Sequence, residues 1–104
     1  MRRVATLMVL KEGMESEYRR RHAQVWPEVV AGIERAGIRN YSIFMRGLEL
    51  FSYFEVEDLE RSMSILAGDP VNQQWQEYMA PLFELPPGIR DGSTVYLDEV
   101  FHTG

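Results

Sequence analysis

The sequence predicts an α+β fold with a four-stranded antiparallel sheet and helices on one face of that sheet. Two observations lead to this prediction. The chain has 104 residues, enough for one domain with a single core, so we expect 1–104 to be one domain. Strand-like and helical segments alternate in the order β, α(α), β, β, α(α), β. This is the order of a split βαβ unit, also called ferredoxin-like.

The first segments are a buried strand and a helical region. Residues 3–10 are nearly all apolar after the first arginine, as in a strand covered on both faces. Helical spacing over residues 14–36 is interrupted by Pro27, which suits the first turn of a second helix, and ends at Gly37. The i,i+4 spacing predicts two ion pairs here, Glu15 with Arg19 and Glu17 with Arg21.

A hairpin is predicted next. Residues 38–46 and 49–56 are rich in aromatic and aliphatic side chains and flank Gly47-Leu48, so a tight two-residue turn is the simplest connection. We therefore expect two antiparallel strands at this point of the chain.

The remaining segments are two helices and a last strand. Asp58 is a candidate cap for a helix over residues 59–67, and Gly68-Asp69-Pro70 ends that helix and begins another over about 71–80. An irregular proline-rich stretch follows, and residues 94–101 return to the period-two pattern of a strand.

Helices on one face leave the other face of the sheet uncovered. A sheet this rich in Phe, Tyr, Leu and Val is not expected to expose a large apolar face to water. We therefore predict a homodimer in which two copies pack through their open sheet faces.

Composition excludes several classes of function. Eleven Lys and Arg against sixteen Asp and Glu leave a formal charge of −5, which disfavours a nucleic-acid partner. The absence of cysteine excludes disulfides, thiolate nucleophiles and cysteine-based metal sites. The apolar stretch 5–10 is followed by Lys11 and Glu12, not by a cleavage site, and no run reaches the roughly 18 apolar residues of a membrane helix. We expect a cytoplasmic protein without a membrane partner.

The two histidines are the first candidates for chemistry, because their ordinary pKa lies near neutral pH. His22 follows Tyr18 by one helical turn, which places imidazole and phenol on one face, and Trp26 another turn on adds a flat apolar surface of the kind that stacks on sugar rings or other small ligands. Ordinary core packing at a helix end gives the same pattern. His102 near the end of the chain is expected to be exposed or at a dimer contact.

Two further segments offer candidate ligand contacts. Tyr41 shares a strand face with Ile43 and Met45, although a tyrosine there is also typical of a core. Trp75 lies in the amide-rich segment NQQWQEYM, whose amides suit a polyhydroxylated ligand as well as water. No metal-ligand spacing, glycine-rich phosphate loop or serine elbow occurs, so we expect neither a metal site nor a nucleotide cofactor or a serine nucleophile.

Four segments together resemble the L-rhamnose mutarotase family. They are EYRRRHAQVWPE at 17–28, NYSIF at 40–44, DPVNQQWQEYM at 69–79 and EVF at 99–101. The resemblance runs from about residue 1 to residue 101. It implies a dimeric α/β barrel and an isomerase that interconverts the α and β anomers of L-rhamnose, or of a related deoxy sugar such as L-fucose, without cofactor or metal.

The resemblance also implies roles for five residues. His22 matches the proton donor of the family, and Tyr18 and Tyr41 match sugar-binding tyrosines. Trp75 matches the first of two adjacent substrate-binding tryptophans, and Gln76 stands in the place of the second. An amide instead of an indole at that edge of the sugar leaves the choice of deoxy sugar open.

Mutarotation requires an acid for the ring oxygen and a base for the anomeric hydroxyl. His22 suits the acid, while a carboxylate, a tyrosine or water remains open for the base. Two other functions fit the same fold: a cofactor-independent monooxygenase or isomerase, and a small-metabolite binding module. A wholly apolar cavity favours the first of these, and a polar and aromatic lining favours a sugar.

Overall fold

The computed structural model describes residues 1–104, which form a five-stranded antiparallel sheet and four α-helices. The elements are β1 (Arg2–Leu10), α1 (Glu15–His22), α2 (Pro27–Arg35), β2 (Arg39–Arg46), β3 (Glu49–Val56), α3 (Leu59–Ala67), α4 (Pro70–Met79), β4 (Phe83–Glu84) and β5 (Val95–Leu97). A single 3-10 turn, Ala80–Leu82, joins α4 to β4. No helix is both long and apolar enough to cross a membrane.

The sheet has the predicted split βαβ order. β2 pairs with β3, and β3 pairs with β1 along its full length. Two short strands share the other edge of β1, with β4 opposite Val9 and Leu10 and β5 opposite residues 5–7. The predicted connectivity of the sheet is therefore observed.

The predicted fourth strand is wrong in its extent. Of residues 94–101, only Val95–Leu97 pair with β1, and the chain then leaves the sheet, where Glu99 forms an ion pair with Arg3 across 2.6 Å. Phe83–Glu84, expected to be irregular, form β4. This edge of β1 therefore carries two short strands instead of the one predicted over 94–101, and residues 85–94 between them form no strand.

The helix boundaries follow the predicted capping residues. Asp58 accepts a hydrogen bond from the Arg61 backbone N–H at 3.1 Å, and Asp69 accepts one from Val71 at 2.9 Å. Pro27 and Pro70 each occupy the first turn of a helix, where no N–H is needed. The first turns of α2, α3 and α4 are therefore well defined.

One of the two predicted ion pairs of α1 forms. Glu17 accepts a hydrogen bond from Arg21 Nε at 2.6 Å and also pairs with Arg20. The pair Glu15 with Arg19 is absent, and that prediction is wrong, because the Arg19 side chain turns to a cavity instead.

The two faces of the sheet differ in cover. In β3 the even-numbered residues from Leu50 to Val56 are buried against the helices, while the odd-numbered ones are partly exposed or exposed. By register, Phe51 lies beside Leu7, and Leu7 lies beside Val95. The helices thus cover one face, as predicted, and leave an apolar open face.

Candidate active site

A cavity of about 900 Å³ lies on the helix side of the sheet, between β2 and the helices α1, α2 and α4. Its wall is mostly hydrophobic. All five residues predicted from the sequence line it: Tyr18, His22, Tyr41, Trp75 and Gln76. Since these residues come from three separate elements, their meeting in one cavity is a result of the fold and not of proximity in the chain.

α1 places Tyr18 and His22 together. Their rings are stacked with centroids 4.1 Å apart and an angle of 21° between planes, as the spacing of one helical turn allows. Tyr18 is 5% exposed, and its ring also contacts the edge of Phe83 at 5.9 Å. The buried phenol therefore forms a platform that fixes one face of the imidazole.

The hydrogen bond of His22 fixes its tautomer. His22 Nδ1 lies 3.3 Å from the carbonyl oxygen of Tyr18. A carbonyl only accepts, so in the neutral ring Nδ1 carries the proton and Nε2 carries the lone pair. Nε2 has no hydrogen-bond partner within the protein. Every buried side-chain nitrogen or oxygen has such a partner, so Nε2 is not buried and is open to the cavity.

The surroundings of His22 favour its neutral form. Burial lowers the pKa of the imidazole below its ordinary value, and the hydrogen bond to the Tyr18 carbonyl offsets this only in part. At neutral pH the group facing the cavity is therefore an imidazole with a free Nε2, which accepts a proton before it donates one.

A β-bulge directs Tyr41 towards the cavity. The register between β2 and β3 shifts between Arg39 and Ser42, and Asn40 has a positive φ of 51°, which asparagine tolerates better than most residues. Asn40 is fixed there by a hydrogen bond from its amide to Glu55 at 2.9 Å. The Tyr41 ring then lies 5.6 Å from that of Phe54, on the helix side of the sheet.

Both tyrosines of the cavity remain protonated at neutral pH. Burial raises the pKa of the Tyr18 phenol and that of the Tyr41 phenol above their ordinary value. Tyr18 Oη has no protein partner and is not sealed from solvent, so it is free to donate to a ligand hydroxyl. Neither phenol is a base near pH 7.

α4 supplies a wall and a polar edge. Trp75 is 6% exposed and contacts the His22 ring edge-on, with centroids 5.6 Å apart. Gln76 is exposed at the cavity, and its amide makes no hydrogen bond within the protein. Asn72 lines the same edge but donates to the Leu66 carbonyl at 3.1 Å. Gln76 is therefore the amide that is free to bind a ligand.

Trp26 does not occupy the position expected from its spacing. α1 ends at His22, so Trp26 lies outside the helix that carries Tyr18 and His22. Its ring packs behind Trp75, with centroids 5.1 Å apart, and stacks on Tyr78 at 5.5 Å. Trp26 thus supports the cavity wall and is not part of its lining.

Three charged residues of the cavity were not predicted from the sequence: Arg19, Glu34 and Arg39. Arg19 lies three residues before His22 on α1, a spacing that puts both on one helix face and would have indicated it. Arg39 donates to the Glu34 carbonyl at 3.0 Å, a contact between α2 and β2 without a local sequence signal. His102 is exposed, as expected.

The chain is similar in sequence to L-rhamnose mutarotases over nearly its whole length. The model of the L-rhamnose mutarotase family matches residues 3–103. The L-rhamnose mutarotase of Oceanobacillus iheyensis is 38% identical over 104 residues, and one from Listeria monocytogenes is 40% identical over 106 residues. In both comparisons 98% of each chain is covered.

Solved structures agree with the fold. The crystal structure of L-rhamnose mutarotase from Formosa agariphila superposes with a TM-score of 0.81 at 30% identity and covers 100% of both chains. Tetracenomycin F2 cyclase from Streptomyces glaucescens superposes with a TM-score of 0.67 at 15% identity, over 100% of this chain and 97% of that one, and shows the fold alone. With the match over residues 3–103, these similarities show that the chain belongs to the L-rhamnose mutarotase family.

Proposed function

We propose that this protein is an L-rhamnose mutarotase, an isomerase that interconverts the α and β anomers of the sugar, with His22 as its catalytic residue. One observation supports this best: the open Nε2 of His22 lies in a mostly hydrophobic cavity whose lining also includes Tyr18, Trp75 and the free amide of Gln76. The volume of about 900 Å³ is within the range of small-molecule sites.

The cavity residues divide the work of binding. Trp75 offers apolar surface to the carbon-bound hydrogens of a pyranose, while the phenols of Tyr18 and Tyr41 and the amide of Gln76 offer hydrogen bonds to its hydroxyls. A wholly apolar substrate leaves these polar groups without partners, at a cost of about 1–3 kcal/mol for the buried phenol of Tyr18. The lining therefore favours a sugar over a wholly apolar substrate.

His22 moves one proton in the proposed mechanism. The neutral Nε2 takes the proton of the anomeric hydroxyl, and the imidazolium gives a proton to the ring oxygen as the bond between that oxygen and the anomeric carbon breaks. An open-chain aldehyde results, with no net gain or loss of protons. Rotation about the bond next to the aldehyde carbon and the reverse transfers close the ring as the other anomer.

The pH dependence follows from the lowered pKa of His22. Because the reaction begins with a neutral imidazole, kcat/KM should rise with pH through a pKa below about 6.5 and stay level to about pH 9. The measurement is a pH series of anomer exchange rates corrected for the uncatalysed rate. A decline of kcat/KM between pH 6 and 8 would show that the enzyme must start protonated and would contradict this order of steps.

The same shift makes folding stability depend on pH. Between the lowered pKa of folded His22 and about 6.5, the unfolded chain binds more protons than the folded one, so this group's contribution to the free energy of unfolding is lost as the pH falls through that window.

Because Gln76 leaves the choice of sugar open, a comparison of several sugars tests the proposal directly. Saturation-transfer NMR on equilibrated L-rhamnose, L-fucose and D-glucose reports the exchange between α and β anomeric protons with and without protein. We expect the largest acceleration for L-rhamnose. Acceleration of L-fucose alone would keep the mutarotase chemistry and change the substrate, whereas binding of a sugar without acceleration would indicate a binding module.

The homodimer is a further part of the proposal. The open face has an apolar centre, in which Leu7 is paired with Phe51 and Ala5 with Leu97. Leu97 is 41% exposed. Charged residues stand at both ends of this apolar centre, with Arg3 opposite Glu55 at one end and Glu49 at the other. An apolar centre with a polar rim is the composition of a protein interface, and a second copy offers the same surface.

Charge on the open face should dissociate the dimer. Phe51→Glu places carboxylates from two copies into the apolar centre, and we expect a change from about twice the chain mass of 12.1 kDa to the chain mass itself. Multi-angle light scattering measures this, with circular dichroism as the check on folding. Ile65→Glu, on the outer face of α3 and 39% exposed, is the matched control and should remain dimeric. A monomeric wild type at micromolar concentration would contradict the proposal.

A further inference from the structure

Arg21 lies next to His22 in the chain but points away from the cavity. Its guanidinium carbon is 4.0 Å from the centroid of the Tyr78 ring, and its Nη1 donates to the Tyr78 carbonyl oxygen at 2.5 Å. Its Nε donates to Glu17 at 2.6 Å. The Arg21 side chain is 17% exposed, compared with 65% for Arg20, which also pairs with Glu17. Arg21 therefore makes three distinct contacts at once.

The two contacts with Tyr78 join α1 to the aromatic wall of the cavity, while the contact with Glu17 lies within α1. Tyr78 lies one turn beyond Trp75 on α4, at 5.8 Å between ring centroids, and Trp75 contacts His22 at 5.6 Å. Contacts thus run from Arg21 to Tyr78, from Tyr78 to Trp75 and from Trp75 to His22. His22 is the residue that follows Arg21 in the chain. We call Glu17, Arg21 and Tyr78 the clamp.

α1 has few other attachments. It has eight residues, no side-chain cap at its start, and Tyr18 as its single buried residue. Its backbone does not pack closely along any other helix or strand. Isolated helices of this length are unstable in water, so side-chain contacts must hold α1 in place. The clamp supplies charged ones, which are stronger than neutral hydrogen bonds.

We infer that Arg21 is a positioning residue for the proton transfer, because its clamp on Tyr78 holds the His22 ring between Tyr18 and Trp75. Arginine suits this role better than lysine, because its planar group donates to Glu17 and to a carbonyl while lying over a ring. The inference rests on the proposed function only for its effect on catalysis. The effect on the His22 ring is independent of it.

The test compares Arg21→Met, Arg21→Lys and the control Arg61→Met. Arg61 is an exposed residue of α3 outside the cavity, so its substitution changes the net charge equally. Saturation-transfer NMR at several sugar concentrations gives kcat and KM separately. The 13C-labelled His22 ring gives a chemical shift and a titration curve without any substrate, and ring currents from Tyr18 and Trp75 make that shift sensitive to position.

Arg21→Met should lower kcat by about 10- to 100-fold with a smaller change in KM, since small displacements of a catalytic group have effects of this size. It should also move the His22 shift and titration, while Arg21→Lys, which keeps the charge over Tyr78, should recover part of both. If Arg21→Met does not fold, Arg21→Lys and Tyr78→Leu decide. An unchanged kcat and an unchanged His22 signal in a folded variant would overturn the inference. A wild-type protein without activity would overturn the proposed function. The chemical shift and titration of the His22 ring would then test the clamp alone.

Discussion

His22→Ala should lower kcat for anomer exchange by about 10²–10⁴-fold, the usual contribution of a general acid or base. The open Nε2 is the one group of the cavity wall that we assign to proton transfer at neutral pH, because both phenols have raised pKa values. KM should change little, since we propose that the aromatic and amide groups bind the sugar. Rates from saturation-transfer NMR and affinity from calorimetry measure the two effects.

His22→Gln serves as the second variant of this experiment. Glutamine keeps a polar group of similar reach but takes up no proton near neutral pH, so it should be as inactive as His22→Ala. Folding is checked through far-ultraviolet circular dichroism, because replacing His22 removes a contact of the Trp75 ring even in a folded variant. Full acceleration by either folded variant would show that another group transfers the proton. Glu34, the carboxylate on the cavity wall, would then be the next candidate.

Trp75→Ala should lower the free energy of unfolding by about 3–5 kcal/mol and also raise KM. Trp75 is 6% exposed and packs against Trp26, Tyr78 and the His22 ring, so its removal empties both the core and the cavity wall. Urea denaturation gives the stability, and sugar titration at a temperature where the variant is folded gives the affinity.

Two substitutions on α4 calibrate this result. Trp75→Phe keeps an aromatic surface and should lose less than half of the stability that Trp75→Ala loses, whereas Gln74→Ala on the exposed side of the helix should change it by less than about 0.5 kcal/mol. If Trp75→Ala loses no more stability than Gln74→Ala, Trp75 does not stabilise the core. If KM of Trp75→Ala is unchanged, Trp75 does not bind the sugar.

The order of elements could be predicted because each boundary has a local cause. Asp58, Asp69 and the prolines at positions 27 and 70 cap or begin helices through their own side chains, and Gly47 permits the tight turn of the hairpin with a φ of 59°. The extent of the last strand has no such cause. It depends on how β4 and β5 share one edge of β1, which is a pairing between distant residues.

The cavity residues were predicted in part by spacing and in part by the family resemblance. One helical turn joins Tyr18 to His22, and that pattern is local. The route of Tyr41 into the cavity depends on the bulge at Asn40, and the place of Trp26 behind Trp75 depends on where α1 ends. The clamp of Arg21 on Tyr78 joins residues 57 positions apart, so no local pattern could indicate it.

The most direct test of the central claim is anomer exchange of L-rhamnose with the wild-type protein near pH 7.5. Saturation of the α anomeric proton should reduce the β signal in proportion to protein concentration, and His22→Ala at the same concentration should bring the exchange back near the uncatalysed rate. An exchange rate that does not depend on the wild-type protein would contradict the assignment of this cavity as a mutarotase site.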